Sequence, residues 1–344
     1  MRCPTIKELP DPPNGRTGWP WTEESSQLPD KAPNSLDWPK ITVVTPNYNY
    51  EEFLEETIRS VLLQGYPDLE YLVIDDGSTD GSMNIIKKYE KFLSYWTSQS
   101  NQGQSAAINN GWVKGNGEIL AWINSDDILA PGALIYAGKF FAENPDKKWL
   151  VGTCGIIDGK SRRQDPFVTK FFGKDGFSFF WRGDLLPQPS SFWRKDILSP
   201  EKVTVREDLK YSMDFELWLR FLQKALPDIR SEVLAYYRMH ERAHTVAQSN
   251  RFLKENVKVS REDWLKKGLR CFICGEFSWR RAVSGGLCAK AFRFKQREER
   301  KKATAMIAEA FKMYPLVIFS YRFINLALRL LLGDRFFSFF GRKR

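Results

Sequence analysis

Two periodicities alternate along the chain, and each change of period marks an element. From residue 40 onward, short β-branched runs trade places with longer segments whose apolar residues recur every three or four positions. The pattern predicts strands at 41–45, 71–74, 93–97 and 119–123, and helices at 51–64, 82–92 and 104–113. In the first helix Phe53, Leu54, Ile58, Val61 and Leu62 fall on one face. Alternation of this kind implies right-handed βαβ crossovers and an α/β fold with a mostly parallel sheet flanked by helices. Beyond Pro131 the rhythm loosens into a helix to 144, a strand at 149–157, an aromatic, loop-rich stretch over 167–193, a helix at 214–226 and a strand at 229–237.

The flanks read differently. Residues 1–38 are rich in Pro, Trp and Asp and predict an extended segment whose tryptophans dock on the main domain at 39–250. Residues 251–344 predict a helical, basic extension. The net charge of +10 is unevenly spread: positions 261–344 hold 20 Lys and Arg against 7 Asp and Glu, leaving 32 against 35 before them. The excess cations therefore belong to the tail and point to an anionic surface there. The first residues lack the apolar core of a signal peptide, and five cysteines suit no disulfide framework, so the expectation is a cytoplasmic chain with reduced thiols. Cys271, Cys274 and Cys288 read as packing residues rather than zinc ligands.

Candidate chemistry lies where strands end, because open α/β sheets bind ligands at the carboxyl edge. Three predicted strands run into polar sequences there: Thr45-Pro46-Asn47-Tyr48-Asn49, Asp75-Asp76-Gly77-Ser78-Thr79-Asp80 and Asn124-Ser125-Asp126-Asp127. Each alone reads as turn formers or caps. Together on one edge, their carboxylates repel unless a cation or hydrogen-bond donors compensate, as a nucleotide with Mg²⁺ or Mn²⁺ would.

In order and spacing these pieces, with Ser60-Val61-Leu62-Leu63-Gln64-Gly65-Tyr66 and Asn101-Gln102-Gly103-Gln104-Ser105 followed by Asn109, resemble the family-2 glycosyltransferases of GT-A fold, of the bacterial polysaccharide type, over residues 40–245. The resemblance implies metal-assisted inverting transfer from a nucleoside diphosphate sugar, a UDP-sugar by preference, to a saccharide or lipid-linked acceptor. It puts Pro46, Tyr48, Asn49, Asp75, Asp76, Gln104, Asn124, Ser125 and Asp126 around the nucleotide, with Asp126 on the metal. The family's Asp-x-Asp has Asn124 in its first position here, leaving Asp127 to compensate. Asp214, in Ser212-Met213-Asp214-Phe215-Glu216, matches the family's catalytic carboxylate and would deprotonate the acceptor, with Glu216 as backup base. A first-turn acid favoured by the helix dipole is the plainer reading of Asp214. Gln188-Pro189-Ser190-Ser191-Phe192-Trp193 resembles the acceptor border, so Gln188 and Trp193 are acceptor candidates; core packing is the alternative for Trp193.

Two other classes compete. His240-Glu241-Arg242-Ala243-His244 fits the H-E-x-x-H zinc peptidase pattern, with Glu255 or Glu262 as a conceivable third ligand. That pattern needs a helix, however, and the preceding residues read as a strand. The same His240 resembles the family histidine that approaches the diphosphate or its metal, a structural role being the alternative. A catalytically silent nucleotide- or glycan-binding module also stays open. No Walker motif occurs, and no nucleic-acid module is recognisable. In the tail, 315–332 is apolar but carries Arg322, Asn325 and Arg329 on one stripe. With Phe336, Phe337, Phe339, Phe340 and the final Arg342-Lys343-Arg344, this predicts an in-plane helix on the inner face of an anionic membrane. Packing on the catalytic domain or on a second copy in a homo-oligomer is the alternative.

Overall fold

The computed structural model describes residues 1–32, 37–99, 102–167, 169–171, 173–178, 186–241, 249–296, 300–315 and 327. The chain divides into two compact units, 1–259 and 260–344. The strands of the first unit are β1 (Ile41–Asn47), β2 (Leu69–Asp75), β3 (Tyr95–Ser98), β4 (Ile119–Trp122), β5 (Ile128–Leu129), β6 (Trp149–Asp158), β7 (Arg163–Phe167), β8 (Ser191–Arg194) and β9 (Asp228–Met239). Its helices are α1 (Glu51–Leu62), α2 (Ser82–Tyr89), α3 (Gln104–Lys114), α4 (Ala133–Glu143), α5 (Lys174–Phe177) and α6 (Met213–Lys224), and α7 (Ser249–Lys266) begins in it.

One sheet runs in the order β3-β2-β1-β4-β8-β6-β9-β5, with β7 added to β6. Its first four strands are parallel, as the alternation of strand and helix requires. The other half is mixed: β8 inserts antiparallel between β4 and β6, β9 runs parallel to β6, and β5 pairs antiparallel with β9. The two-residue β5 matters for the site. Its pairing of Ile128 with Tyr236 brings the loop before it, with Asp126 and Asp127, beside the end of β9.

Both faces of the parallel half are covered, and the side chains divide by strand period. Ile41 and Val43, Tyr71 and Val73, and Ile119 and Ala121 join α1 and α4 in one core. Val44, Leu72, Ile74, Leu120 and Trp122 join α3 and α6 in the other. Residues 1–32 form no helix or strand and lie along the first core. The buried Arg59 guanidinium anchors them by donating to the carbonyls of Pro10, Pro20 and Trp21 at 2.7, 3.0 and 3.0 Å. Gly65, at φ +65°, lets the segment approach so closely that a Cβ there would lie 2.4 Å from the Ser26 carbonyl oxygen.

The second core corrects the reading of Trp193 as an acceptor platform. Trp193 is 0% exposed, and its ring lies 5.5–5.6 Å from those of Trp112, Trp122, Trp218 and Phe221. Strand alternation turns it into the sheet–helix layer, where no sugar can stack on it.

In the second unit, α8 (Leu269–Gln296) packs on α9 (Arg300–Met313) through small side chains; the Ser284 hydroxyl donates to the Ala310 carbonyl at 2.9 Å. Cys288 is buried, Cys271 half-buried and Cys274 exposed, and none of the three is in a disulfide. Among the described residues no helix is long and apolar enough to cross a membrane. The tail positions on which the in-plane helix rests, Arg322, Asn325, Arg329 and 336–344, lie outside the described residues.

A Trp193→Ala variant should lose roughly 3–5 kcal/mol of stability, the cost of emptying a packed aromatic site. Urea unfolding followed by tryptophan fluorescence measures this; unchanged stability would restore a surface role for the ring.

Candidate functional site

At the edge where β1 and β2 end, two loops are stitched together by side chains. Full parallel register sets Asn47 beside Asp75. The Asp75 carboxylate, 1% exposed, accepts four hydrogen bonds: from Asn47 Nδ2 (2.8 Å), the Ser78 hydroxyl (2.5 Å), the Ser78 N–H (3.0 Å) and the Ser98 hydroxyl (2.6 Å). A carboxylate offers about four acceptor sites. All four are filled here, so the Asp75 oxygens shape the loop that the sequence reading sets around the nucleotide. Asn49, at φ 57°, uses the left-handed tolerance of asparagine and accepts the Thr79 N–H at 2.8 Å. Pro46 is buried within β1, whereas Tyr48, 44% exposed, stands just past the strand end with its ring available to a ligand.

Asp76 accepts the N–H groups of Gln102 (2.6 Å) and Gly103 (2.8 Å) and so fixes the start of α3. Gln104, the first residue of that helix, donates to Asn124 Oδ1 at 2.8 Å. Its neighbour Ser105 donates to the Leu209 carbonyl and to Met213 Sδ, both at 3.0 Å. Two adjacent residues at the head of α3 thus touch the β4–β5 loop on one side and the head of α6 on the other. Asn124 also donates to Gln188 Oε1 (3.4 Å), and Gln188 in turn donates to the Trp122 carbonyl (2.8 Å). Gln188 is buried and clamps the end of β4 instead of bordering open space.

Within the loop after β4 the two aspartates part company. Asp127, 0% exposed, accepts the Arg238 N–H (2.8 Å) and Asn124 Nδ2 (3.3 Å), and burial, with the neighbouring Asp126 charge, pushes its carboxyl well above the usual range. An inward, protonatable carboxyl is no compensating metal ligand, which corrects that expectation. Asp126 is partly exposed, its Oδ2 3.0 Å from His240 Nε2, and the His240 ring rests against Tyr50 and Phe53. Ser125 is buried, its carbonyl held by the Thr57 hydroxyl at 3.0 Å.

These contacts have a hub that the sequence did not reveal. Arg238 is 0% exposed and donates to the Asp126 carbonyl (2.6 Å), the Ser161 hydroxyl (2.8 Å) and Glu56 Oε2 (3.1 Å), with its guanidinium 4.7 Å above the Phe53 ring. Strand period places His240, two residues on, on the same side. Glu56 lies 182 positions away in sequence, so no local pattern announces the pair.

Asp214 sits in the first turn of α6, half-buried, with Oδ1 accepting the Phe215 N–H at 2.8 Å. Burial raises its carboxyl to about 6 and the Glu255 charge adds to the rise, against the lowering effect of the Phe215 N–H. The backup base fares differently. Glu216 is buried, and both its oxygens bind Arg220 at 3.0–3.1 Å, so that role is corrected. The zinc peptidase pattern is overturned as well. His240 follows a strand and Glu241 lies in a turn, Glu255 is engaged by backbone N–H groups, and His244 is outside the described residues. No cluster of three His, Cys, Asp or Glu able to hold a metal occurs among the described residues. Asp126 with His240 still fits a cation whose other ligands are phosphate oxygens and water, the usual manner of Mg²⁺.

Comparison with known proteins agrees with this geometry. Residues 42–187 match the model of Glycosyl transferase family 2. An uncharacterized glycosyltransferase of Nostoc sp. is 30% identical over 212 residues, 58% of this chain and 65% of the relative, so the chain spans just under two thirds of that protein's length. The crystal structure of S. aureus TarS 1-349 in complex with UDP-GlcNAc superposes with TM-score 0.56 at 18% identity, covering 87% of this chain and 92% of that one. The mannosyltransferase PcManGT from Pyrobaculum calidifontis, in complex with GDP-Man and Mn²⁺, gives 0.53 at 17%, covering 88% and 90%. With the polar strand ends gathered at the head of α3 on a fold of this kind, residues 42–187 form a family-2 glycosyltransferase domain of GT-A type.

Proposed function

We propose that the chain transfers a sugar, with inversion, from a nucleoside diphosphate sugar to a hydroxyl of a saccharide or lipid-linked acceptor, with Asp214 as general base. The observation that carries this reading is the placing of Asp214: at the head of α6, which Ser105 holds while its neighbour Gln104 holds the Asn124 loop, an aspartate whose carboxyl burial pushes up to about 6. The complexes of the two structural neighbours with UDP-GlcNAc and with GDP-Man and Mn²⁺ support a nucleotide-sugar donor, and a UDP-sugar is the donor favoured here.

The residues divide the work. Tyr48 covers the base, and the loops fixed by Asp75 and Asp76 shape the nucleotide pocket. Asp126 and His240 are the groups that would hold a divalent cation against the diphosphate. When bound, such a cation offsets the charge that develops on the leaving diphosphate. Asp214 takes the acceptor proton while the acceptor oxygen forms its bond to the sugar's C1. On the opposite face the bond from C1 to the phosphate oxygen breaks, and its electron pair leaves with the nucleoside diphosphate. A carboxyl near 6 suits this role, being ionised at neutral pH yet more basic than an exposed aspartate. In this reading residues 39–250 are the catalytic domain, and 251–344 hold it at an anionic membrane surface, supported by the tail's charge of 20 cations against 7 anions over 261–344.

A panel of UDP- and GDP-sugars, assayed for release of the nucleoside diphosphate with Mn²⁺ present, tests the reading. Asp214→Asn should lower kcat by about 10²–10⁴-fold with nucleotide affinity kept; full activity in that variant would overturn the assignment. Because Asp214 must be ionised, wild-type activity should fall as pH drops through about 6 and hold above it. An acid limb near 4 would show that the carboxyl is not buried during turnover. Asp126→Ala should abolish the Mn²⁺-dependent part of the thermal stabilisation produced by UDP, and retention of that part would remove Asp126 from the metal.

A further inference from the structure

We propose that Glu255, on α7, is a positioning residue for the reaction: its carboxylate sets the segment that presents Asp214 to the substrate. The inference rests on the general-base reading above. Glu255 Oε1 accepts the Lys210 N–H at 3.1 Å, and Oε2 accepts the N–H groups of Tyr211 and Ser212 at 2.6 and 2.8 Å. Three consecutive backbone donors therefore converge on one ionised acceptor, a charge-assisted arrangement stronger than neutral hydrogen bonds.

Upstream the segment is tied down by Asn109, which brackets Val205 through its N–H and carbonyl, and by burial of Val203, Val205 and Leu209, whereas Glu255 binds the N–H groups of the last three residues before α6. Residues 202–212 belong to no strand or helix. Ser212 flanks the helix in the position of a cap, yet its hydroxyl makes no capping bond and lies buried with no partner among the described residues. Glu255 supplies from another helix the fixation that the local cap does not. On the opposite side Ser105 holds the Leu209 carbonyl and Met213 Sδ, so the head of α6 is gripped between α3 and α7. Asp214 lies two residues beyond the last N–H that Glu255 binds. Freeing that grip tilts the first turn of α6 and moves the base. A displacement on the order of 1 Å costs about a hundredfold in rate where proton transfer and bond formation must align. Glu255 touches no reacting atom in this account and acts through Asp214.

The test uses the full chain, UDP-GlcNAc with Mn²⁺ (or the panel sugar nucleotide hydrolysed fastest), and four variants. Glu255→Ala should lower kcat by about 10- to 100-fold, with donor KM and UDP affinity close to wild type. Glu255→Gln keeps one acceptor oxygen and should recover part of that loss. Lys258→Ala removes an exposed ion pair with Asp208 that ties the same helix to the same loop, and should leave kcat unchanged. Asp214→Asn separates the two claims. If it is inactive while Glu255→Ala turns over normally, the positioning role fails and the general base stands. A fall in kcat matched by equal losses of UDP affinity and Tm would show that Glu255 is structural only, which also overturns the inference. Full activity of Asp214→Asn would overturn the base, and the positioning role with it.

Discussion

The site depends on one buried cation. Arg238, with no exposed surface, joins the β4–β5 loop through the Asp126 carbonyl, α1 through Glu56 and the β6–β7 turn through Ser161, while its own N–H caps Asp127. Burying a guanidinium is costly unless its donors are paired, and here they are. The constraint runs both ways: without the cation, the buried Glu56 carboxylate would be left with the Ser161 hydroxyl as its donor. Because the hub lies near the end of β9, the register of that strand also decides where His240 meets Asp126. A mixed sheet is needed for this, since only the short antiparallel β5 carries the aspartate loop across to β9.

Carboxylates crowded on one edge suggested that a cation must relieve their repulsion. The structure resolves most of that repulsion without one. Asp75 is satisfied by hydroxyls, an amide and a backbone N–H, Asp76 by two backbone N–H groups, and Asp127 by burial that favours its neutral form together with the Arg238 N–H. The acids that remain open to a ligand are Asp126, paired with a histidine, and Asp214, held by a single backbone N–H. In the proposed reaction this division serves preorganisation: fixed acids build the walls, and the two left over are free to meet cation and acceptor.

The parallel half of the fold was legible because period-two runs and amphipathic helices alternate there; β1 was expected at 41–45 and spans Ile41–Asn47, and α3 was expected at 104–113 and spans Gln104–Lys114. In the mixed half the long strands were legible too, β6 being expected at 149–157 and β9 at 229–237, but β8 was not, since it is a four-residue strand inside an aromatic stretch and its partners on β4 and β6 lie about 40 to 75 positions away. Aromatic composition misled in the same place. Ring-rich sequence suits a sugar platform or a core equally, and only strand alternation turned Trp193 inward. Within the site, the strand-end motifs located the edge, yet they could not say which acids would be spent on loop geometry. Arg238, Glu56 and Glu255 stayed hidden because their partners are distant in sequence, and hydrogen bonding across such separations leaves no periodic trace.

The central claim is that Asp126, His240 and Asp214 border a single cleft that takes a nucleoside diphosphate and a divalent cation. A crystal structure with UDP and Mn²⁺, read through the anomalous signal of manganese, addresses it directly. The account predicts a manganese peak on the order of 2 Å from Asp126 Oδ and His240 N, with the diphosphate between them and the head of α6. Manganese or nucleotide bound at any other surface, for instance in the 590 Å³ cavity beside Trp112 and Lys195, would contradict it.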